Sequence, residues 1–236
     1  MGIAKLDLAV VIPVYNEEEI ISTVLEGWYQ QLEVLDINYE IHVYNDGSKD
    51  NSLQVISKIS KQLEKIIVHD KKNSGHGPTI LKGYRDNSQA EWVFQVDSDN
   101  EMSAEEFSKV WENRIHADFI IAHRYGRISP LSRKIISWIS RLIVGVFYGD
   151  RIYDVNAPYR LMRCSVFKDF WEMIPDDTFA PNIVISGIAT YLNFKVIEIP
   201  ITHYNRATGK VSIQKFKLLK MAVKSLIQTI KCRFLI

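Results

Sequence analysis

Five short runs of β-branched and aromatic residues recur between residues 8 and 122, and each is followed by apolar residues at helical spacing. This alternation constrains the fold more than any other feature. The runs are Leu8–Val14, Tyr39–Tyr44, Ile66–His69, Trp92–Val96 and Phe119–Ala122, with the length and composition of strands buried on both faces. Between them, Ile20, Ile21, Val24, Leu25 and Trp28 form one helical stripe, with Asn16 as its expected N-cap and Glu17 to Glu19 in its first turn. Leu53, Ile56, Ile59 and Leu63 form a second, opening at Asp50. A third is expected after Gly75-His76-Gly77-Pro78, and a fourth from Ser103 through Phe107, Val110 and Trp111. Repeated strand–helix–strand units imply right-handed crossovers and an open, mostly parallel sheet. Ligands then bind at the carboxyl ends of the strands.

Composition narrows the function classes. Lys and Arg number 29 against 28 Asp and Glu, and a net charge of +1 argues against a dedicated nucleic-acid binder. Two cysteines, Cys164 and Cys232, make neither a disulfide framework nor a zinc site and fit a reducing compartment. No apolar run reaches the ~18 residues of a membrane span, and the N-terminus lacks a signal layout, so a cytoplasmic chain is expected. The charge is unevenly spread. After Glu198 there are eight Lys and Arg and no acid, which leaves the rest of the chain at −7. A second acid-free stretch, between Asp118 and Asp150, holds Arg124, Arg127, Arg133, Lys134 and Arg141.

Three loops at strand ends carry chemistry: Pro13-Val14-Tyr15-Asn16-Glu17-Glu18, Asn45-Asp46-Gly47-Ser48-Lys49-Asp50 and Asp97-Ser98-Asp99-Asn100-Glu101. In such a sheet they converge on one edge. Asn, Asp, Gly and Ser are ordinary turn formers, and the first two loops taken singly read as turns and caps. The third sets Asp97, Asp99 and Glu101 directly behind an apolar strand, where the carboxylates repel unless a cation is present. Carboxylate oxygens suit a hard cation, Mg²⁺ or Mn²⁺, bound together with substrate phosphates. The alternative is that Asp99 or Asn100 caps the following helix.

These loops together resemble family 2 of the inverting glycosyltransferases. The resemblance continues through Arg124-Tyr125, Asp154-Val155-Asn156-Ala157-Pro158-Tyr159-Arg160-Leu161, and Glu198-Ile199-Pro200-Ile201 with Arg206 and Gly209. It is most similar to the dolichyl- or polyprenyl-phosphate sugar synthases. The fold it implies is α/β: a GT-A fold with a Rossmann-like, mostly parallel sheet flanked by helices, and C-terminal amphipathic helices. Residues 1–212 would form the catalytic domain and 213–236 a basic amphipathic helix. The resemblance implies a donor site of Pro13, Tyr15, Glu17, Tyr44, Asp46, Asp97, Ser98, Asp99 and Lys210 for a UDP- or GDP-sugar. It implies a Mg²⁺ or Mn²⁺ ion on Asp97, Asp99 and Glu101, with Arg124 and Arg206 gripping phosphates. Asp154 is the candidate for general base or acceptor-orienting acid, with a turn aspartate as the alternative. Arg160 would face the acceptor or pair with Asp154. The chain departs from the pattern at Asn45, where relatives have a first Asp, at His76, where Lys is frequent, at Pro158, where Gly is usual, and at Gly209-Lys210-Val211-Ser212.

The resemblance implies a lipid-phosphate acceptor, and the two basic stretches bear on it too. Ile135, Ile136, Ile139, Leu142, Ile143, Val146 and Phe147 recur at helical spacing, as do Phe216, Leu219, Val223, Leu226, Ile227 and Ile230, with Lys217, Lys220, Lys224 and Lys231 on the flank. Basic amphipathic helices lie in lipid headgroups, or pack into a core with solvated charges. The expectation is a peripheral enzyme at the inner membrane face, passing sugar to a polyprenyl phosphate or another membrane-linked acceptor. Transfer to a soluble or growing saccharide, a catalytically silent nucleotide-sugar-binding subunit, and a homo-oligomer remain open.

Overall fold

The computed structural model describes residues 5–126, 131–149, 152–204 and 215–236, without the side chains of 131–134 and 215–221. Seven strands, β1 (Leu8–Val14), β2 (Tyr39–Asn45), β3 (Ile66–Asp70), β4 (Trp92–Gln95), β5 (Phe119–Tyr125), β6 (Arg160–Arg163) and β7 (Val196–Thr202), form one sheet in the order β3-β2-β1-β4-β6-β5-β7. Every pairing is parallel except those of β6, which runs antiparallel to β4 and β5. The five expected strands form within a few residues of their expected ends.

The helices are α1 (Ile21–Glu33), α2 (Ser52–Ser60), α3 (His76–Asp86), α4 (Phe107–Asn113), α5 (Leu131–Tyr148), α6 (Cys164–Met173), α7 (Pro181–Tyr191) and α8 (Lys215–Arg233). α1 starts later than expected, because Asn16 is not its cap. Asn16 has φ 56°, and its Oδ1 accepts from the Lys49 amide at 2.7 Å. The acids behind it are drawn the same way: the Glu18 carboxylate accepts from the Asn51 amide at 2.8 Å, and Asp50 accepts from the Glu18 amide at 3.1 Å. The loops after β1 and β2 are thus laced together, and the helix begins beyond the lacing.

The core sits on both faces of the sheet. On one, Trp28 of α1 packs against Phe94, Phe107 and Tyr159 with ring centroids 5.2–5.8 Å apart, offset and edge contacts that favour aromatic pairs. On the other, α3 lies so close that Gly83 leaves no room for a β-carbon beside Val11. α8 is tied to the body by the Tyr148 hydroxyl on the Thr229 carbonyl (2.6 Å) and by Arg233 on the Phe147 carbonyl (2.9 Å).

Candidate active site

The carboxyl ends of β1, β2 and β4 bring the predicted loops to one rim. Tyr15 and Glu17 are partly exposed there, and Pro13 and Ser98 are buried beneath them. Asp46 is nearly enclosed. Its carboxylate pairs with Lys71 and accepts from the Ser74 and Gly75 amides at 2.8 and 2.9 Å, so it clamps the turn that leads into α3. Asn45 turns instead toward the sheet edge and donates to Asp70 at 2.7 Å. An acid at 45 would oppose that carboxylate, which is a physical reason for the amide.

Asp97 follows β4. Its Oδ1 accepts from Gln95 Nε2 at 2.9 Å and meets His76 Nε2 at 2.9 Å. Burial penalises the Asp97 charge, but His76 and then Arg124 outweigh it and hold the carboxyl below its ordinary range. The converse holds at His76: burial disfavours the imidazolium, yet Asp97, Asp99 and Asp46 raise its pKa. His76 thus faces three carboxylates that favour its protonated form. That donor set fits a divalent cation held by Asp97 and Asp99.

Glu101 does not complete this pair. Its carboxylate meets His203 Nε2 at 3.0 Å, beyond the end of β7. Among the described residues no group of three His, Cys, Asp or Glu side chains is placed to hold a metal ion, and the expected triad of Asp97, Asp99 and Glu101 is not assembled. Tyr44 is also corrected. It is fully buried on the α3 side of the sheet, stacked on His69 at 4.3 Å, with its hydroxyl on Asp86 at 3.0 Å, and so lines no ligand site. Residues alternate across a strand, and Tyr44 points away from the rim that its neighbours reach.

On the far side of Asp97, Arg124 at the end of β5 makes a two-pronged contact with Asp154, through Nε (2.6 Å) and Nη2 (2.8 Å). Both side chains are largely buried. A bidentate fork of this kind fixes guanidinium orientation as well as charge. Among the described residues the element before Asp154 is α5, not a strand. Asp154 lies in the turn between α5 and β6. Arg160, weighed as a partner for Asp154, donates to backbone carbonyls of Val155, Ala157 and Asn182. Arg206 and Lys210 lie outside the described residues, as do the side chains of Arg133, Lys134, Phe216, Lys217, Leu219 and Lys220.

Beside this pair a cleft of about 110 Å³ opens between α5, α7 and α8, lined by Asp154, Asn156, Ser140, Phe179, Ile183 and Ser225 among others. Among the described residues the buried Ser225 hydroxyl has no hydrogen-bond partner. Outside it, Ile135, Trp138, Leu142 and Val146 of α5 are exposed along one stripe, and Val223 and Ile227 of α8 are exposed as well. Sequence reasoning missed two members of the site. Gln95 was signalled only as one amide at the end of an apolar strand. His203 had no signal beyond its place after Thr202.

The sequence model described as "Glycosyl transferase family 2" matches residues 9–172. The chain is 25% identical over 217 residues to the undecaprenyl-phosphate 4-deoxy-4-formamido-L-arabinose transferase of Photorhabdus laumondii, across 91% of this chain and 65% of that protein. It is 22% identical to the uncharacterized glycosyltransferase YkcC of Bacillus subtilis, across 92% and 67%. The chain thus spans about two thirds of the length of the curated relatives it matches. Among solved structures, TarS of S. aureus in complex with UDP-GlcNAc superposes with TM-score 0.60 at 20% identity, covering 93% of this chain and 66% of that one. Glucosyl-3-phosphoglycerate synthase of Mycobacterium tuberculosis, bound to Mn²⁺, UDP and its product, gives 0.67 at 12%, covering 96% and 80%. The fold is that of the GT-A glycosyltransferases. With the family match running through the β1, β2 and β4 loops and on past Asp154, this chain belongs to glycosyl transferase family 2.

Proposed function

We propose that this chain transfers a sugar from a UDP- or GDP-sugar to a polyprenyl phosphate, with inversion at the anomeric carbon and with Mg²⁺ or Mn²⁺ at Asp97 and Asp99. The observation that carries this reading is the arrangement of two charged centres: the Asp97–His76 contact on one side, and the Arg124–Asp154 fork on the other, next to a cleft between α5 and α8. Relatives named as undecaprenyl-phosphate sugar transferases support the acceptor class, and neighbours solved with UDP-GlcNAc or with Mn²⁺ and UDP support the donor class.

In this reading Tyr15, Glu17 and Ser98 line the donor pocket over Pro13, and Asp46 shapes it by holding the turn before α3. Asp97 and Asp99 would hold a divalent cation, which would neutralise charge on the departing diphosphate. Arg124, held by the Asp154 fork, would stabilise the same negative charge as it develops. The acceptor phosphate oxygen forms the new bond to the anomeric carbon as the bond to the diphosphate breaks, and the nucleoside diphosphate leaves with the electron pair. An ionised phosphate has no proton to give up, so no general base is needed. Asp154 therefore serves to aim Arg124, not to take a proton. α8 and the exposed stripe of α5 rest on the membrane that carries the acceptor.

Calorimetry with Mn²⁺ plus UDP or GDP, followed by transfer from labelled nucleotide sugars to undecaprenyl phosphate in vesicles, tests the proposal. Asp99→Ala should lose about tenfold or more in nucleotide affinity. Absence of any metal-dependent nucleotide binding in the unaltered chain overturns the donor reading. Binding without transfer to any lipid leaves a nucleotide-sugar-binding subunit, and transfer only to soluble saccharides replaces the acceptor.

A further inference from the structure

Four polar side chains are buried in the middle of the molecule, where the sheet could have held apolar ones. Gln95 of β4, Tyr84 of α3 and Arg160 of β6 are fully buried, and Asn182 of α7 is 2% exposed. Burying such groups costs several kcal/mol unless each finds its partners. They do, and in a fixed order.

Gln95 Oε1 accepts from Asn182 Nδ2 at 2.9 Å and lies 3.3 Å from the Tyr84 hydroxyl oxygen. The same hydroxyl donates to Asn182 Oδ1 at 2.8 Å. The Asn182 amide donor on its oxygen gives the Gln95 amide one orientation, and its Nε2 is directed at Asp97 Oδ1. From Asn182 the connection continues the other way. Its backbone carbonyl accepts from Arg160 Nη1 at 3.0 Å. Arg160 then donates to the Ala157 carbonyl through Nε (2.9 Å) and Nη2 (2.6 Å), and to the Val155 carbonyl at 3.3 Å. Those carbonyls belong to the turn that begins at Asp154. A continuous hydrogen-bonded chain thus runs from Asp97 to the backbone beside Asp154, crossing α3, β4, β6 and α7.

We propose that Gln95, Tyr84, Asn182 and Arg160 form a positioning relay, which sets the orientation of Asp97 and the seat of the 154–157 turn together. The donor-side carboxylate and the Arg124–Asp154 fork are thereby held at one spacing. The inference rests on the donor-side reading of Asp97 given above. None of the four side chains needs to touch substrate. Arg160 lies between the two acids without a fork of its own, and burial pushes its pKa down to about 10, with Asp154 and Asp97 among the groups that draw it back up. Its hydrogen bonds, not a salt bridge, locate it.

A double-mutant cycle read by Mn²⁺-UDP calorimetry tests the relay, with circular dichroism as the check on folding. Asn182→Asp keeps the shape but offers Gln95 no N–H, so the Gln95 amide turns over and presents oxygen to Asp97. Gln95→Met removes the amide altogether. Each single change should weaken Mn²⁺-UDP about tenfold, and the pair together no more than either alone, because both act through one contact. Tyr84→Phe should give a smaller loss, about threefold, that disappears in the Gln95→Met background. Losses that multiply overturn the relay. So does unaltered binding in Asn182→Asp or Gln95→Met while Asp97→Ala loses it, an outcome that leaves the donor site standing. Unaltered binding in Asp97→Ala instead overturns the donor-side reading and the relay with it. Should Gln95→Met fail to fold, Asn182→Asp with Tyr84→Phe completes the same cycle.

Discussion

At the scale of single residues, the edge of the sheet holds a pair of histidines with a clear pH consequence. His42 Nδ1 faces His69 Nε2 at 3.0 Å, and His42 Nε2 faces Glu40 at 3.0 Å. The carboxylate can only accept, so His42 carries its proton on Nε2 and receives one from His69 at Nδ1. There is room for a single proton between the rings. Burial lowers the pKa of His42, with His69 adding to the effect and Glu40 and Asp86 opposing it. Burial also lowers that of His69, with Asp86 opposing and Lys82 assisting. A folded-state pKa below the ordinary 6.5 means that the unfolded chain takes up protons first. The pair's contribution is thus full above 6.5 and is lost as the pH falls through the lowered values. Thermal unfolding followed from about pH 7 to about pH 5 should show a falling melting temperature, shallower in His69→Gln, whose amide donates to His42 without titrating. Equal slopes in the two proteins would remove the pair as the cause.

At the scale of elements, strands were the most legible feature and the site's polar wiring the least. Buried parallel strands announce themselves as uninterrupted apolar runs, and β1 to β5 formed where those runs lie. β6 was hidden, because Arg160-Leu161-Met162-Arg163 is short and carries charge at both ends. The start of α1 was misread because Asn16 resembles a cap in one dimension, whereas its partner, Lys49, lies in another loop. The strand-end loops were found from their residue types, yet the directions of Tyr44 and Glu101 depend on strand register and on His203, which no local pattern carries. α3 shows how closely an element can be fixed by one residue. A β-carbon at Gly77, in its first turn, would lie 2.2 Å from the Phe179 carbonyl oxygen and 2.4 Å from that of Thr178, both backbone atoms. Gly77→Ala must therefore push α3 or the 178–179 turn aside, at a cost of about 1–3 kcal/mol or more. Chemical denaturation should show that loss in midpoint with little change in slope. Because His76 precedes Gly77, Mn²⁺-UDP affinity should fall as well.

At the scale of the whole molecule, the question is what covers the apolar faces of α5 and α8. No helix among the described residues is long and apolar enough to cross a membrane. Yet Trp138 is 64% exposed and Val146 70%, on the same stripe as Ile135 and Leu142, and Ile227 is 49% exposed on α8. Cations flank them. Arg141 lies over the Tyr153 ring at 4.5 Å, and Lys224 and Lys231 are exposed. Entering a headgroup region would bury those side chains at ~1.5–3 kcal/mol for each one fully covered, against ~1 kcal/mol for each lysine near anionic lipid. The apolar term is the larger, which fixes the form of the prediction. In vesicle flotation with anionic lipid the unaltered chain should rise with the vesicles, and Lys224→Glu with Lys231→Glu should reduce the bound fraction. High salt should do the same without abolishing it. Trp138→Ser with Val146→Ser and Ile227→Ser should abolish flotation while leaving Mn²⁺-UDP affinity unchanged, since these positions lie outside the donor rim. Transfer to undecaprenyl phosphate in vesicles should fall in step with flotation. If the triple variant still floats, or loses flotation without losing lipid transfer, then another surface of the protein meets the acceptor.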